Sequence, residues 1–152
     1  MSNTYTQIYI QAVFAVKGRQ NLILQAYEDE IYRYIGGILK SKGHKSLAIN
    51  GMPDHIHALF GLKPTESLSD LMRDVKANTS GFINDKNWFR GTFHWQEGFG
   101  AFSYSHSQLD NVIHYIKNQK EHHTKKSFRE EYLSFLKEFN VNYDDRYIFT
   151  SS

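Results

Sequence analysis

Two strand-like segments, Lys45–Asn50 and His55–Leu62, are separated only by Gly51-Met52-Pro53-Asp54. Glycine, proline and aspartate in so short a connection are turn chemistry, so the two segments must double back as a hairpin. The second segment is apolar through Ala58, Leu59 and Phe60, yet it opens on His55-Ile56-His57. Successive side chains of a strand point to opposite faces, so His55 and His57 share one face. The hairpin therefore constrains the fold to contain a sheet and sets two imidazoles side by side on it.

The flanking chain supplies the rest of an α+β layout. Ile8–Val16 is apolar and β-branched, as a buried strand is, and Lys17-Gly18-Arg19-Gln20 closes it as a polar turn. Gln25–Lys42 has Ile31, Ile35, Ile38 and Leu39 at helical spacing, acids in its first turn, lysines in its last, and Gly43 as a stop. Thr65-Glu66-Ser67 opens a second helix over Leu68–Asn84. Asn87–Phe102, rich in aromatic residues and glycine, reads as an irregular strand or loop. Gln108–His123 reads as a third helix and Ser127–Phe139 as a fourth, capped by Ser127 with Glu130 and Glu131 following. The tail Val141–Ser152 carries no assignable pattern. The order β-α-β-β-α-β-α predicts a ferredoxin-like two-layer sandwich, an antiparallel sheet with helices on one face, ending in a helix that bears Tyr115.

Composition bounds the setting. At 152 residues, with 40% apolar and 15% aromatic residues, the chain is expected to form one domain, 1–152, with a core of its own. The absence of cysteine excludes disulfides, thiolate metal sites and cysteine nucleophiles, and suits a reducing cytoplasm. No secretory signal and no membrane span is expected. A net charge of +2 points only weakly to an anionic partner.

The residues that can carry chemistry are few. A His-x-His pair in a strand is by itself more often packed than ligating, and two imidazoles make only half of a metal site. Tyr115 and Gln119, four apart on a helix, share a face. A phenol, with an ordinary pKa of about 10, is a poor nucleophile until activated. A divalent metal would favour its phenolate and polarise a phosphoryl oxygen. Together these groups suit attack of a tyrosine on a phosphodiester, giving a covalent phosphotyrosine that conserves bond energy for rejoining.

Asp-His-Ile-His at 54–57 resembles the histidine–hydrophobic–histidine (HUH) motif of single-strand DNA endonucleases. Tyr-Ile-x-Asn-Gln at 115–119, about sixty residues on, is similar to the tyrosine motif of the small single-tyrosine transposases of bacterial insertion sequences, the TnpA-like two-hundred/six-hundred-five group. The likeness also takes in Lys17-Gly18-Arg19, Trp95-Gln96-x-Gly98-Phe99 and Phe102-Ser103-Tyr104-Ser105. It implies metal ligation by His55, His57 and Gln119, with Tyr115 as the nucleophile that forms a 5′-phosphotyrosine and frees a 3′-OH. It implies Mg²⁺ or Mn²⁺ as cofactor and single-stranded DNA, often with a hairpin, as substrate. It also implies a homodimer that can share active sites between subunits, in the cytoplasm of a bacterial or archaeal cell.

Other residues fit a DNA partner. Lys17, Arg19, Arg73 and Lys76 could meet phosphates, and Trp95 could stack an unpaired base. His122 and His123, just after Gln119, could lie at a solvated helix end or near DNA. Two rivals stand beside a transposase. One is a domesticated relative that processes repeated extragenic palindromes by the same chemistry. The other is a non-catalytic nucleic-acid-binding module of the same fold, which leaves the His-x-His and Tyr-x-x-x-Gln pair unexplained. A plain metal-binding or assembly domain is a further option.

Overall fold

The structure is a computed structural model that describes residues 4–122 and 126–143. Four strands, β1 (Tyr9–Ala15), β2 (Lys45–Met52), β3 (His55–Gly61) and β4 (Gly100–Tyr104), form one antiparallel sheet in the order β2-β3-β1-β4. Helices α1 (Glu28–Ser41) and α2 (Leu68–Lys86) connect the strands in the β-α-β-β-α-β sequence of the ferredoxin-like motif. Helices α3 (Leu109–Lys117), α4 (Gln119–His122) and α5 (Phe128–Glu138) follow.

The pleat sorts the core. Ala12, Phe14 and Val16 with Ile56, Ala58 and Phe60 face one way, onto Ile31, Ile35 and Leu39 of α1 and Leu71, Met72 and Val75 of α2. That layer is the expected two-layer sandwich. The intervening residues face the other way and are covered as well. Val13, Ala15 and Phe102 pack on Phe128, Phe135 and Leu136 of α5, while Leu59 packs on Leu109, Val112 and Ile116 of α3. The tyrosine-bearing helix and α5 thus add cover to the face opposite α1 and α2. Six successive residues of β3 are buried, as a strand covered on both faces requires.

Local chemistry fixes the joints. Gly43 ends α1 at φ 87°, where the His44 N–H reaches back to the Leu39 carbonyl. At Gly51 a Cβ would run into the His55 carbonyl, so only glycine lets the hairpin close just before the first histidine. Ser67 caps α2 by accepting from the Asp70 N–H, and Ser127 with Glu130 forms a capping box on α5.

Two sequence expectations are refined. The aromatic stretch 87–102 ends in a true edge strand, β4, which pairs with β1 from Tyr9↔Tyr104 to Val13↔Gly100. The single helix expected over Gln108–His123 is two helices, broken at Asn118 (φ −99°, ψ 22°). The break has a cause in β2: the Asn50 side-chain amide donates to the carbonyls of Ile116 (3.0 Å) and Lys117 (3.1 Å), satisfying the end of α3 from outside.

Candidate active site

β3 presents His55 and His57 on the α3/α5 face, both with no solvent exposure. Opposite them on β1 stand Ala15 and Val13. Each ring is held by its Nδ1. His55 Nδ1 lies 2.7 Å from Asp54 Oδ1, and His57 Nδ1 lies 2.7 Å from Gln11 Oε1. Both partners are oxygens that only accept, so Nδ1 carries the proton in each ring and Nε2 faces inward.

Glu131 of α5 meets both inward nitrogens. Its Oε1 is 3.1 Å from His57 Nε2 and 3.4 Å from His55 Nε2. Its Oε2 accepts from the Tyr115 hydroxyl and, at 3.1 Å, from Gln119 Nε2. Glu131 is 2% exposed. A buried carboxylate facing two ring nitrogens whose protons are spent elsewhere needs a cation among them, either added protons or a metal ion. Burial opposes charge on His55, but the neighbouring Asp54 and Glu131 carboxylates outweigh it and raise its pKa. Burial, and then the bond to Glu131, push the Tyr115 phenol well above its ordinary pKa, so at rest the tyrosine keeps its proton.

The donor set fits a divalent metal. One ligand atom each of His55, His57 and Glu131 lies within 4.8 Å of the others. Gln119 is fully buried, and its Oε1 has no hydrogen-bond partner among the described residues. An orphaned amide oxygen, on a side chain already bonded to the carboxylate that faces both imidazoles, is what an ion would complete. Tyr115 lies next to the group, its ring centroid 6.1 Å from that of His57. A cleft of about 330 Å³ is lined by Gln11, Tyr104, Asn111 and Phe135 together with Tyr115 and Glu131.

A family model described as IS200-like transposase matches residues 4–119, from the first strand through Gln119. The chain belongs to the IS200-like transposase family. No curated protein matches it. Among solved structures, a protein of Deinococcus radiodurans R1 described as a transposase is similar with a TM-score of 0.63 at 19% identity. The match covers 78% of this chain and 95% of that one. A REP-associated tyrosine transposase bound to a REP hairpin is similar with a TM-score of 0.60 at 14% identity, over 81% and 73% of the two chains. At these identities the likeness is one of fold.

Within this transposase the residues singled out by sequence separate into two groups. His55, His57, Tyr115 and Gln119 come together within one chain, around Glu131. Lys17 and Arg19 form a 3₁₀ turn beyond β1, at the His55 end of the sheet, where the Val16 N–H reaches the Asp54 carbonyl. Arg73 and Lys76 sit on α2, across the sheet from the histidines. Arg73 is paired with Asp70 and Asp74, and Lys76 Nζ donates to the carbonyls of Gln96 and Gly98, both at 2.8 Å. Trp95 packs edge-on against Phe14 and Phe93 on that same α1/α2 side. His123 lies outside the described residues, as does the tail from residue 144.

Sequence reasoning reached Glu131 only as a first-turn acid of α5. Its signal was present: Phe128 and Phe135 are buried on α5, and Glu131 occupies the same stripe, three residues after the first and four before the second. Gln11, a fully buried amide in an apolar strand, carries a signal of the same kind.

No helix among the described residues is long and apolar enough to cross a membrane.

Proposed function

We propose that this transposase cuts and rejoins single-stranded DNA through Tyr115, with a divalent cation, Mg²⁺ or Mn²⁺, held by His55, His57 and the oxygens of Glu131 and Gln119. The observation that carries the reading is the convergence of both Nε2 atoms, the Tyr115 hydroxyl and Gln119 on one buried carboxylate. Carboxylate and amide oxygens beside imidazole suit these ions. When bound, the cation would polarise a phosphoryl oxygen and offset the negative charge of Glu131 that keeps Tyr115 protonated.

The residues of the chain then divide the work. Glu131 Oε2 already accepts the Tyr115 proton in a hydrogen bond and is placed to take it as Tyr115 Oη attacks phosphorus. The Oη–P bond forms, the P–O3′ bond breaks, and the departing 3′-oxygen takes up a proton from water. The products are a 5′-phosphotyrosine and a free 3′-OH. In the reverse direction a 3′-OH gives its proton to water and attacks the same phosphorus, the Oη–P bond breaks, and Glu131 returns the proton to Tyr115. One phosphodiester is exchanged for another of similar energy, so no nucleotide triphosphate is consumed. Lys17 and Arg19 lie at the His55 end of the sheet, where a phosphate backbone leaving the site would pass.

Because one chain brings Tyr115 to its own histidines, we read each site as able to act in cis within any dimer. Mixing Tyr115→Phe chains with His57→Ala chains should then restore no activity, and restoration would show a shared site. The similarity to a REP-associated transposase bound to a REP hairpin favours a hairpin-bearing substrate. It also keeps a second reading in view, the same chemistry on repeated palindromes without movement of the protein's own gene.

The test is covalent capture. With labelled single-stranded DNA and Mg²⁺ or Mn²⁺, a protein–DNA adduct is expected on a denaturing gel. It should vanish with chelator and in Tyr115→Phe. An adduct that persists in Tyr115→Phe would reject Tyr115 as the nucleophile.

A further inference from the structure

Gln11 lies in the middle of β1 among apolar residues and is fully buried, yet both ends of its amide are used. Its Oε1 faces His57 Nδ1 at 2.7 Å, and its Nε2 donates to the Tyr104 hydroxyl of β4, also at 2.7 Å. The three residues come from three adjacent strands, and the register places Gln11 and His57 on the same face of the sheet. A glutamine buried this deeply costs free energy unless both ends are bonded, and here both are.

We propose that Gln11, held by Tyr104, is a positioning residue that keeps the His57 proton on Nδ1 and so turns the Nε2 lone pair, beside Glu131, toward a divalent cation.

The alternative tautomer shows why this matters. With its proton on Nε2, His57 would donate to Glu131 Oε1 at 3.1 Å, a favourable bond in a buried site. That proton would occupy the position a cation must take. The Gln11 oxygen tips the balance by offering Nδ1–H an acceptor that a neutral apolar side chain would lack. Tyr104 completes the arrangement by accepting from the amide nitrogen, so that both ends of the buried amide are bonded. Burial raises the Tyr104 phenol to a pKa of about 12, so it stays protonated at ordinary pH. An outer partner that fixes a ligating imidazole typically changes metal affinity by about 10- to 100-fold.

The inference rests on the metal reading above, and Mn²⁺ binding by calorimetry separates the two. Wild type is expected to bind Mn²⁺ and His57→Ala to lose it. If wild type does not bind, the metal reading fails and the positioning role falls with it. Given binding by wild type, Gln11→Leu should weaken Mn²⁺ by about 10- to 100-fold. Gln11→Glu, which keeps an acceptor oxygen at the same place, should bind within a few-fold of wild type. Nitrogen-15 spectra of the imidazoles supply a readout that lost packing would not move. With both proteins metal-free, His57 Nδ1 is expected to carry a proton in wild type and to lose it in Gln11→Leu. Should Gln11→Leu not fold, Tyr104→Phe takes its place, with weaker Mn²⁺ binding expected. Unchanged Mn²⁺ affinity in Gln11→Leu, or in Tyr104→Phe if that variant must stand in, would overturn the proposal while leaving the metal site intact.

Discussion

Glu131 shows how much a single side chain can gather. It comes from a helix 74 residues beyond His57, yet one of its oxygens faces both imidazoles and the other holds Tyr115 and Gln119. The rest of the molecule uses carboxylates differently. On the opposite side of the sheet Lys42 bonds Glu66 at 3.1 Å and Asp74 at 2.8 Å, and His44 Nε2 bonds Glu66 at 2.8 Å. The His44 contact first, then Lys42, holds the Glu66 carboxyl below its ordinary range, while the Lys42 hydrogen bond does the same for Asp74. Depressed carboxyl pKa values stabilise the fold above the ordinary carboxylate range, and that contribution is lost as pH falls through the folded values. Lys42→Met should therefore unfold at a higher pH than wild type in an acid titration followed by circular dichroism. An identical acid midpoint would show that these pairs contribute nothing to stability, as is common for solvent-exposed ones.

At the scale of elements, the break between α3 and α4 is the most instructive joint. Helical spacing alone predicts an unbroken helix, on which Tyr115 and Gln119 share a face by simple periodicity. They do meet at Glu131, but across a break that Asn50 imposes from β2. Local pattern cannot show this, because the capping group lies 66 residues away in sequence. Asn50→Ala removes both bonds to the end of α3 and should cost about 1–3 kcal/mol in chemical denaturation. It should also weaken Mn²⁺ binding, since Gln119 begins the helix that follows. Unchanged stability would mean that water satisfies those carbonyls equally well. The hairpin between β2 and β3, by contrast, was legible at once. Its turn residues and the two-residue period of the histidines are local properties that packing does not alter.

For the whole molecule, the decisive feature is that the sheet is covered on both faces. One face builds the core with α1 and α2, and the other builds the site with α3 and α5. Phe135 ties the second layer together, stacked on Phe102 at 5.0 Å and edge-on to Tyr115 at 5.8 Å. Phe135→Ala should destabilise the fold by about 3–5 kcal/mol, as read from urea unfolding. It should also lower the yield of DNA adduct, because Tyr115 loses a wall that orients it. A loss of stability with full adduct formation would show that the Glu131 contact alone positions the tyrosine. The apolar run of β1 on both of its faces was a sign of two-sided cover, since a strand with one wet face alternates.

The sequence by itself determined what is periodic or local. It established the hairpin, the shared face of His55 and His57, the two helices of the first layer, and the placing of Tyr115 and Gln119 four apart on helical chain. The tertiary structure decided which distant groups meet. Whether Glu131 points into the site depends on how α5 lies across β1 and β4, and no local rule specifies that. Gln11 is one polar residue in an apolar strand until β3 and β4 flank it with His57 and Tyr104. Secondary structure sets the direction of a side chain within its own element. Only long-range packing sets what stands in front of it, and the chemistry of this site lies in that second step.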